Sequence, residues 1–152
     1  MSKKLLEELF PALAVFGYKI LSRPTDRYDC VAWAAGDTTR WWWPDLKGKR
    51  YWPENVERKR TLDVFKKVFE NLGYFICDNG NFEEGYDKIA IYINENGKPT
   101  HVTRQFWKNV WISKIGEWEL VEYYNVNALY DGICGDIAVF MKRPIKYLSD
   151  NK

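Results

Sequence analysis

The hydrophobic residues of this chain change their spacing once, near Gly73, and that change limits what the chain can fold into. Before Gly73, the stretch Leu62–Leu72 carries apolar residues at helical spacing: Leu62, Phe65, Val68, Phe69 and Leu72. After Gly73, short stretches alternate apolar and polar residues, as strands with one buried face do. Helices followed by an antiparallel sheet predict an α+β fold, with N-terminal helices packed on a C-terminal antiparallel sheet.

Length and composition favour a single domain over residues 1–152. Hydrophobic residues make up 46% of the chain, and the formal net charge is only +2, which excludes a polybasic arm or an acidic tail. No apolar run reaches the ~18 residues that a membrane span needs, and the first residues are not a secretory signal. Three cysteines, an odd number, argue against a disulfide scaffold. We therefore expect a cytoplasmic protein without a membrane partner.

Local signals predict two further helices. Apolar spacing from Ser2 to Leu13 predicts a helix that stops near Phe10, before a turn. The Ala-rich stretch Cys30–Ala35 predicts a helix with Asp29 as its N-cap and a glycine after its end. Strands are predicted over Tyr18–Leu21, Tyr74–Cys77, Lys88–Ile93, His101–Phe106, Val110–Ser113, Leu120–Tyr124 and Ile137–Lys142.

Any acid–base step that uses an imidazole must use His101, because the chain has one histidine. Cys30 begins a predicted helix, where the helix dipole favours a thiolate over a thiol. A cysteine at a helix start and a histidine on a later strand are typical of thiol hydrolases, in which the cysteine is the nucleophile and the histidine its base. We therefore expect Cys30 and His101 to form a catalytic pair.

The register of the central hairpin suggests which polar residue could orient the imidazole. A three-residue turn pairs Phe106 with Val110, Thr103 with Ser113, and His101 with Ile115. Ser113 and Gln105 then share a face of the sheet with His101, and both are candidates for the third catalytic position.

The residues alone leave a structural alternative open. A cysteine in an Ala-rich helix is often a small core residue, and a histidine beside a valine is often held by packing hydrogen bonds. Cys77 and Cys134 are expected to be structural. No cysteine or histidine pair has the short spacing of a zinc site, and no phosphate-binding glycine loop is present, so we expect neither a metal nor a cofactor.

The segment Asp37–Pro53 is a long aromatic loop with two interpretations. Arg40 and the three tryptophans after it offer cations and stacking surfaces, which suit a nucleotide-like ligand or a protein partner. Alternatively, the tryptophans pin the loop onto the core. Nucleic acid is not the expected partner. The candidate substrate-binding residues are Tyr28, Asp29, Arg40, Trp41, Trp42, Trp43, Arg104 and Trp111.

Several strings together resemble an uncharacterised family of small bacterial proteins over about Tyr28 to Pro144. They are YDCVAWAAGD from Tyr28, RWWWPD from Arg40, KIAIY from Lys88, PTHV from Pro99, RQ at Arg104 and WISKIG from Trp111. This resemblance implies no particular activity.

A more distant resemblance implies chemistry. Asp29-Cys30 at the start of a helix, with His101 on a later strand, is similar to the papain-like NlpC and CHAP amidase and peptidase group. That resemblance implies a papain-like fold, Cys30 as nucleophile, His101 as base and an orienting residue near Trp111–Ser113. We therefore expect a cysteine hydrolase or acyltransferase that acts on an amide or ester bond of a small molecule or peptide. The alternative is a non-catalytic binding module that uses the aromatic loop.

Overall fold

The strands of the protein form one antiparallel sheet in the computed structural model, which describes residues 2–129 and 132–145. The strands are β1 (Tyr18–Ile20), β2 (Phe75–Cys77), β3 (Tyr86–Ile93), β4 (Pro99–Trp107), β5 (Val110–Lys114), β6 (Leu120–Tyr123) and β7 (Asp136–Pro144). Their order across the sheet is β1-β6-β5-β4-β3-β7-β2. The predicted α+β class with an antiparallel sheet is therefore confirmed.

The helices are α1 (Lys3–Leu9), α2 (Pro11–Phe16), α3 (Cys30–Ala35) and α4 (Leu62–Glu70), and a 3₁₀ turn spans Val126–Leu129. The first helix ends where Pro11 predicts. The turn expected after Phe10 is wrong, because Pro11 instead begins α2, a position where its missing N–H costs no hydrogen bond. Among the described residues, no helix has the length and apolar character needed to cross a membrane.

Helix α3 forms as its local sequence predicts. The Oδ1 atom of Asp29 accepts the backbone N–H of Ala32 at 3.0 Å, which satisfies one of the free N–H groups of the first turn. Gly36 ends the helix with φ of +90°, a backbone conformation that glycine adopts without steric cost. Cys30 is thereby fixed as the first helical residue.

Alternation along β3 divides the core between the two faces of the sheet. Ile89 and Ile91 face α3 and α4, whereas Ala90 and Tyr92 face the side on which α1 and α2 pack. The sheet thus carries a hydrophobic cluster on each face.

The predicted register of β4 and β5 is confirmed in its interior, where Gln105 lies opposite Trp111. The expected pair of Phe106 with Val110 is wrong, because a bulge places Trp107 opposite Val110.

Strands β4 and β5 separate towards the start of β4. Their ladder runs from the turn only to Arg104 opposite Ile112, whereas β5 stays paired with β6 as far as Lys114. Helix α3 packs against both strands at this opening, and the Trp33 Nε1–H donates to the Ile112 carbonyl at 3.3 Å. The N-terminus of α3 therefore lies beside the first residues of β4.

We predict that the aromatic contacts between α4 and the loop are a major source of stability. Phe65 is fully buried, with its ring centroid 5.5 Å from that of Trp43 and 5.3 Å from that of Trp52. Phe65→Ala should lower the free energy of unfolding by about 3–5 kcal/mol, because it leaves a cavity. Phe106→Ala, at a side chain that is 68% exposed, should change it by less than about 0.5 kcal/mol. Urea denaturation of both variants checks this, and equal losses would contradict it.

Candidate functional site

A cavity of about 530 Å³ lies at the start of β4, next to the opening between β4 and β5. Its volume falls within the range of about 300–1,000 Å³ that is typical of small-molecule sites. Cys30 and His101 both line it. Aromatic residues from three other parts of the chain form much of its wall: Phe10, Trp41, Trp43 and Trp118.

The Cys30 thiol is buried in this site, with only 5% of the residue exposed. Burial raises the pKa of the thiol well above its ordinary value, and the neighbouring Asp29 charge raises it further. A backbone hydrogen bond with Val102 acts in the opposite direction but is weaker. The expected thiolate is therefore wrong: burial outweighs the dipole of a six-residue helix, and the resting sulfur is a neutral thiol.

The His101 side chain is also buried, at 3% exposure, and its ring packs edge-on against Tyr92 at a centroid distance of 5.5 Å. Burial lowers the pKa of the imidazole from 6.5 to about 3, so the ring is neutral at physiological pH. Its Nε2 atom has no hydrogen-bond partner in the part of the chain that the structure describes. The ring is thus packed in the core, as the structural alternative expects, but its Nε2 atom is left without a hydrogen bond.

The thiol and the imidazole reach the cavity from opposite faces of the sheet. Cys30 belongs to the cluster on the α3 side, whereas His101 packs against Tyr92, which belongs to the cluster on the α1 side. They line one cavity because β5 is not paired with the first residues of β4 and α3 fills part of that opening.

Asp29 connects the thiol to the aromatic loop. Its Oδ1 atom accepts two backbone N–H groups, from Ala32 at 3.0 Å and from Trp42 at 3.1 Å. The carboxyl is 2% exposed, and burial raises its pKa from 3.8 to about 6. Its Oδ2 atom is buried and has no hydrogen-bond partner among the described residues. One carboxylate thus holds the start of α3 and the loop together, on the wall of the cavity.

Two further aspartates shape the loop that carries the tryptophans. Asp37 accepts the indole N–H of Trp42 at 2.8 Å, and Asp45 accepts the backbone N–H groups of Lys49 and Arg50 at 2.8 and 2.9 Å. These bonds hold the pKa of both carboxyls below their usual range. The packing interpretation of the loop is confirmed for Trp42, which is buried in the core, while Trp41 and Trp43 line the cavity and the binding interpretation stays a prediction.

A buried lysine lies behind the site. Lys114 is fully buried, and its Nζ donates to the carbonyls of Thr25 and, at 2.6 Å, Gly116. The ammonium also lies 5.1 Å from the ring centroid of Tyr28 and attracts the Asp29 carboxylate electrostatically. It does not line the cavity.

The structure does not bring the two proposed orienting residues to the cavity. The Ser113 hydroxyl lies 3.3 Å from the Tyr123 hydroxyl, which also bonds the Thr103 side chain. The Gln105 amide donates to the Gly80 carbonyl at 2.8 Å. Both residues lie on the face that the register predicts, but their polar atoms serve other partners.

The predicted substrate-binding residues divide in the same way. Asp29, Trp41 and Trp43 line the cavity. The others do not line it and have these contacts: Tyr28 beside Trp33, Arg40 with Asp37, Trp42 with Asp37 and Asp29, Arg104 with Asp87, and Trp111 near Phe140.

Sequence reasoning missed part of the wall, above all Trp118 and Cys134. Trp118 lies in the turn between β5 and β6, where its N–H donates to the Ile115 carbonyl at 2.7 Å. The predicted register pairs His101 with Ile115, the residue just before this turn, and could therefore have indicated that the turn lies near the histidine. Cys134 follows the undescribed residues 130–131, and no sequence signal placed it here. No group of three histidine, cysteine or carboxylate side chains in the described ranges could hold a metal ion.

A family model, described as a domain of unknown function (DUF7689), matches residues 19–142. The chain belongs to the DUF7689 family. This agrees with the resemblance to an uncharacterised family. No curated protein and no solved structure matches the chain, and nothing in these comparisons supports the NlpC and CHAP resemblance. The chemistry of this DUF7689 member must therefore be argued from its own cavity.

We predict that the buried imidazole makes the protein acid-sensitive. Because the pKa of His101 falls from 6.5 to about 3 on folding, only the unfolded chain takes up this proton between those values. Stability should therefore fall as pH falls through this window, by up to roughly 1.4 kcal/mol per pH unit.

The wild-type protein is compared with His101→Asn, which replaces the chain's single histidine with a side chain that does not titrate. Wild type should lose stability relative to this variant between about pH 6.5 and pH 3, measured by urea unfolding at several pH values. The NMR signals of the imidazole, which are unique in the spectrum, would overturn the prediction if they titrated near pH 6.5.

Proposed function

We propose that this DUF7689 member is a cysteine-dependent hydrolase or acyltransferase that acts on an amide or ester bond of a small substrate. Cys30 is the nucleophile and His101 the general base. The observation that carries the proposal is that the thiol and the imidazole line one cavity of ligand size, and that the imidazole Nε2 is buried without a partner.

The charge state of the pair defines the mechanism. A neutral thiol with a raised pKa is a weak nucleophile until its proton is removed. The neutral imidazole has an unoccupied acceptor at Nε2, but its lowered pKa makes it a weak base before a substrate binds. No hydrogen bond joins Sγ and Nε2 in the substrate-free protein. We therefore propose that a bound substrate brings the two atoms within reach, and that the proton passes from Sγ to Nε2 as the sulfur attacks and negative charge on the substrate oxygen stabilises the imidazolium.

The chemical steps balance within this pair and the substrate. The Sγ–carbon bond forms as the thiol proton moves to Nε2, and the imidazolium then gives that proton to the leaving amine or alcohol as its bond to carbon breaks. Water or a second acceptor then attacks the thioester and regenerates the thiol, with His101 again taking and returning a proton.

A papain-like arrangement is part of the proposal. A cysteine as the first residue of a helix and a histidine near the start of a strand support it. The orienting residue is left unassigned, because Ser113 and Gln105 bond elsewhere. All three cysteines are free thiols, which supports a reducing compartment such as the cytoplasm.

One observation favours a second function, the binding of a small molecule without chemistry. The raised pKa of Cys30 keeps the thiol protonated, as in a structural cysteine. The nucleotide-like form of this alternative is disfavoured, because no lysine or arginine in the described ranges lines the cavity to meet a phosphate.

We predict that turnover depends on both residues of the pair. Aryl esters, thioesters and anilides of small acids provide a chromogenic panel for the wild-type protein. Cys30→Ala and His101→Ala should each lower the rate by about 10²–10⁴-fold, because each removes one half of the proton-transfer step.

Cys77→Ala is the matched control, since Cys77 lies outside the cavity, and it should keep the wild-type rate. Far-ultraviolet circular dichroism must show all variants folded. A wild-type protein that binds panel compounds but never turns them over, or a Cys30→Ala protein that retains turnover, would favour the binding function instead.

A further inference from the structure

The cavity separates its polar groups from its aromatic groups. The buried ionisable groups come from the start of α3 and the start of β4, namely Asp29, Cys30 and His101, and the exposed Glu117 of the β5–β6 turn lies at the rim. The aromatic wall comes from other segments, namely the end of α1, the aromatic loop and the β5–β6 turn. A ligand that fills such a space has one polar end, beside the thiol, and an apolar body among the rings.

Two arginines of the chain already lie beside rings of the aromatic wall. The Arg50 guanidinium lies 4.8 Å from the ring centroid of Trp41, and that of Arg60 lies 5.4 Å from the ring centroid of Trp43. Arg60 also donates to the Pro99 carbonyl at 2.8 Å. A further cation on these rings would have to approach the arginines, so the wall does not favour a cationic ligand.

The charged side chains that line the cavity are carboxylates. The Asp29 carboxylate is attracted by the buried ammonium of Lys114, and Glu117 lies at the exposed rim. An anion would meet these two carboxylates and no lining cation in the described ranges. An anionic ligand is therefore disfavoured, and a cation among the rings is disfavoured by the arginines beside Trp41 and Trp43, which leaves an uncharged body as the best fit.

We propose that the substrate is an uncharged aryl-substituted acyl compound, whose aromatic group lies among Trp41, Trp43 and Trp118 and whose carbonyl lies beside Cys30. This inference rests on the proposed function for the identity of the reacting carbonyl. The preference for an uncharged aromatic body, however, can be measured without any reaction.

Binding is therefore measured with the Cys30→Ala protein, by calorimetry or tryptophan fluorescence. The probes are acetamide, phenylacetamide, and phenylacetamides with a 4-carboxylate or a 4-trimethylammonium group. Phenylacetamide should bind at least about tenfold more tightly than acetamide, because a buried ring removes a large apolar area from water. Both charged derivatives should bind at least about tenfold more weakly than phenylacetamide, because each places an unpaired charge in the cavity.

Trp118→Leu tests the wall, because Trp118 is half-buried in a turn and leucine keeps an apolar contact with the core cluster beside it. Made in the Cys30→Ala background, it should lower phenylacetamide affinity several-fold and leave acetamide affinity unchanged. Trp107→Leu is the matched control, at a tryptophan that is 56% exposed and outside the cavity. It should change neither affinity.

The outcomes separate this inference from the proposed function. Tighter binding of either charged derivative, or equal affinity for acetamide and phenylacetamide, would overturn the inference even if the wild-type protein turned over other substrates. Selective binding of phenylacetamide supports it, even if the wild-type protein hydrolysed no aryl acyl ester or amide and the proposed function failed.

Discussion

The site depends on the two hydrogen bonds that the buried carboxylate of Asp29 accepts. Its Oδ1 atom receives one backbone N–H from Ala32 in the first turn of α3 and one from Trp42 in the aromatic loop. These two bonds fix where Cys30 begins its helix and where the tryptophans of the loop approach it. A backbone N–H group that is buried without a partner is costly, so the two segments are held together by a shared acceptor.

The same burial that positions the site also sets its chemistry. Desolvation raises the pKa of Asp29 and of Cys30 and lowers the pKa of His101. The thiol and the imidazole are consequently uncharged at rest. A site of this kind does not store a reactive thiolate, and in the proposed function the sulfur becomes nucleophilic only as it attacks a substrate carbonyl. In a reducing compartment, a protonated thiol is also protected from oxidation.

The local parts of this arrangement could be predicted from the sequence, because they depend on neighbouring residues. Asp29 as N-cap and Gly36 after the end of the helix defined α3, and the alternation of Lys88–Ile93 defined a strand within β3. The interior register of the β4–β5 hairpin was predicted correctly at Gln105 opposite Trp111, whereas the predicted pair of His101 with Ile115 lies beyond the end of the ladder, although both residues line the cavity.

The long-range parts could not be predicted in this way. Strand β7 enters the sheet between β3 and β2, a choice that depends on packing across the whole sheet. The Ser113 hydroxyl forms a hydrogen bond with the hydroxyl of Tyr123 on β6, not with His101. The spacing of residues in the sequence does not indicate that contact. Whether the pKa of Cys30 is raised or lowered depends on its burial, and the position of a cysteine at a predicted helix start does not reveal how deeply it is buried.

The central claim, an uncharged thiol–imidazole pair in one cavity, is tested most directly by the pH profile of Cys30 alkylation. Iodoacetamide labelling, resolved by peptide mass spectrometry, gives the profile for the wild type and for His101→Ala. The midpoint is the readout, since burial slows the reaction at every pH. We expect a midpoint above the ordinary thiol value of about 8.5 in both proteins. A wild-type midpoint near or below neutrality that is lost in His101→Ala would reveal a thiolate–imidazolium ion pair and contradict the account.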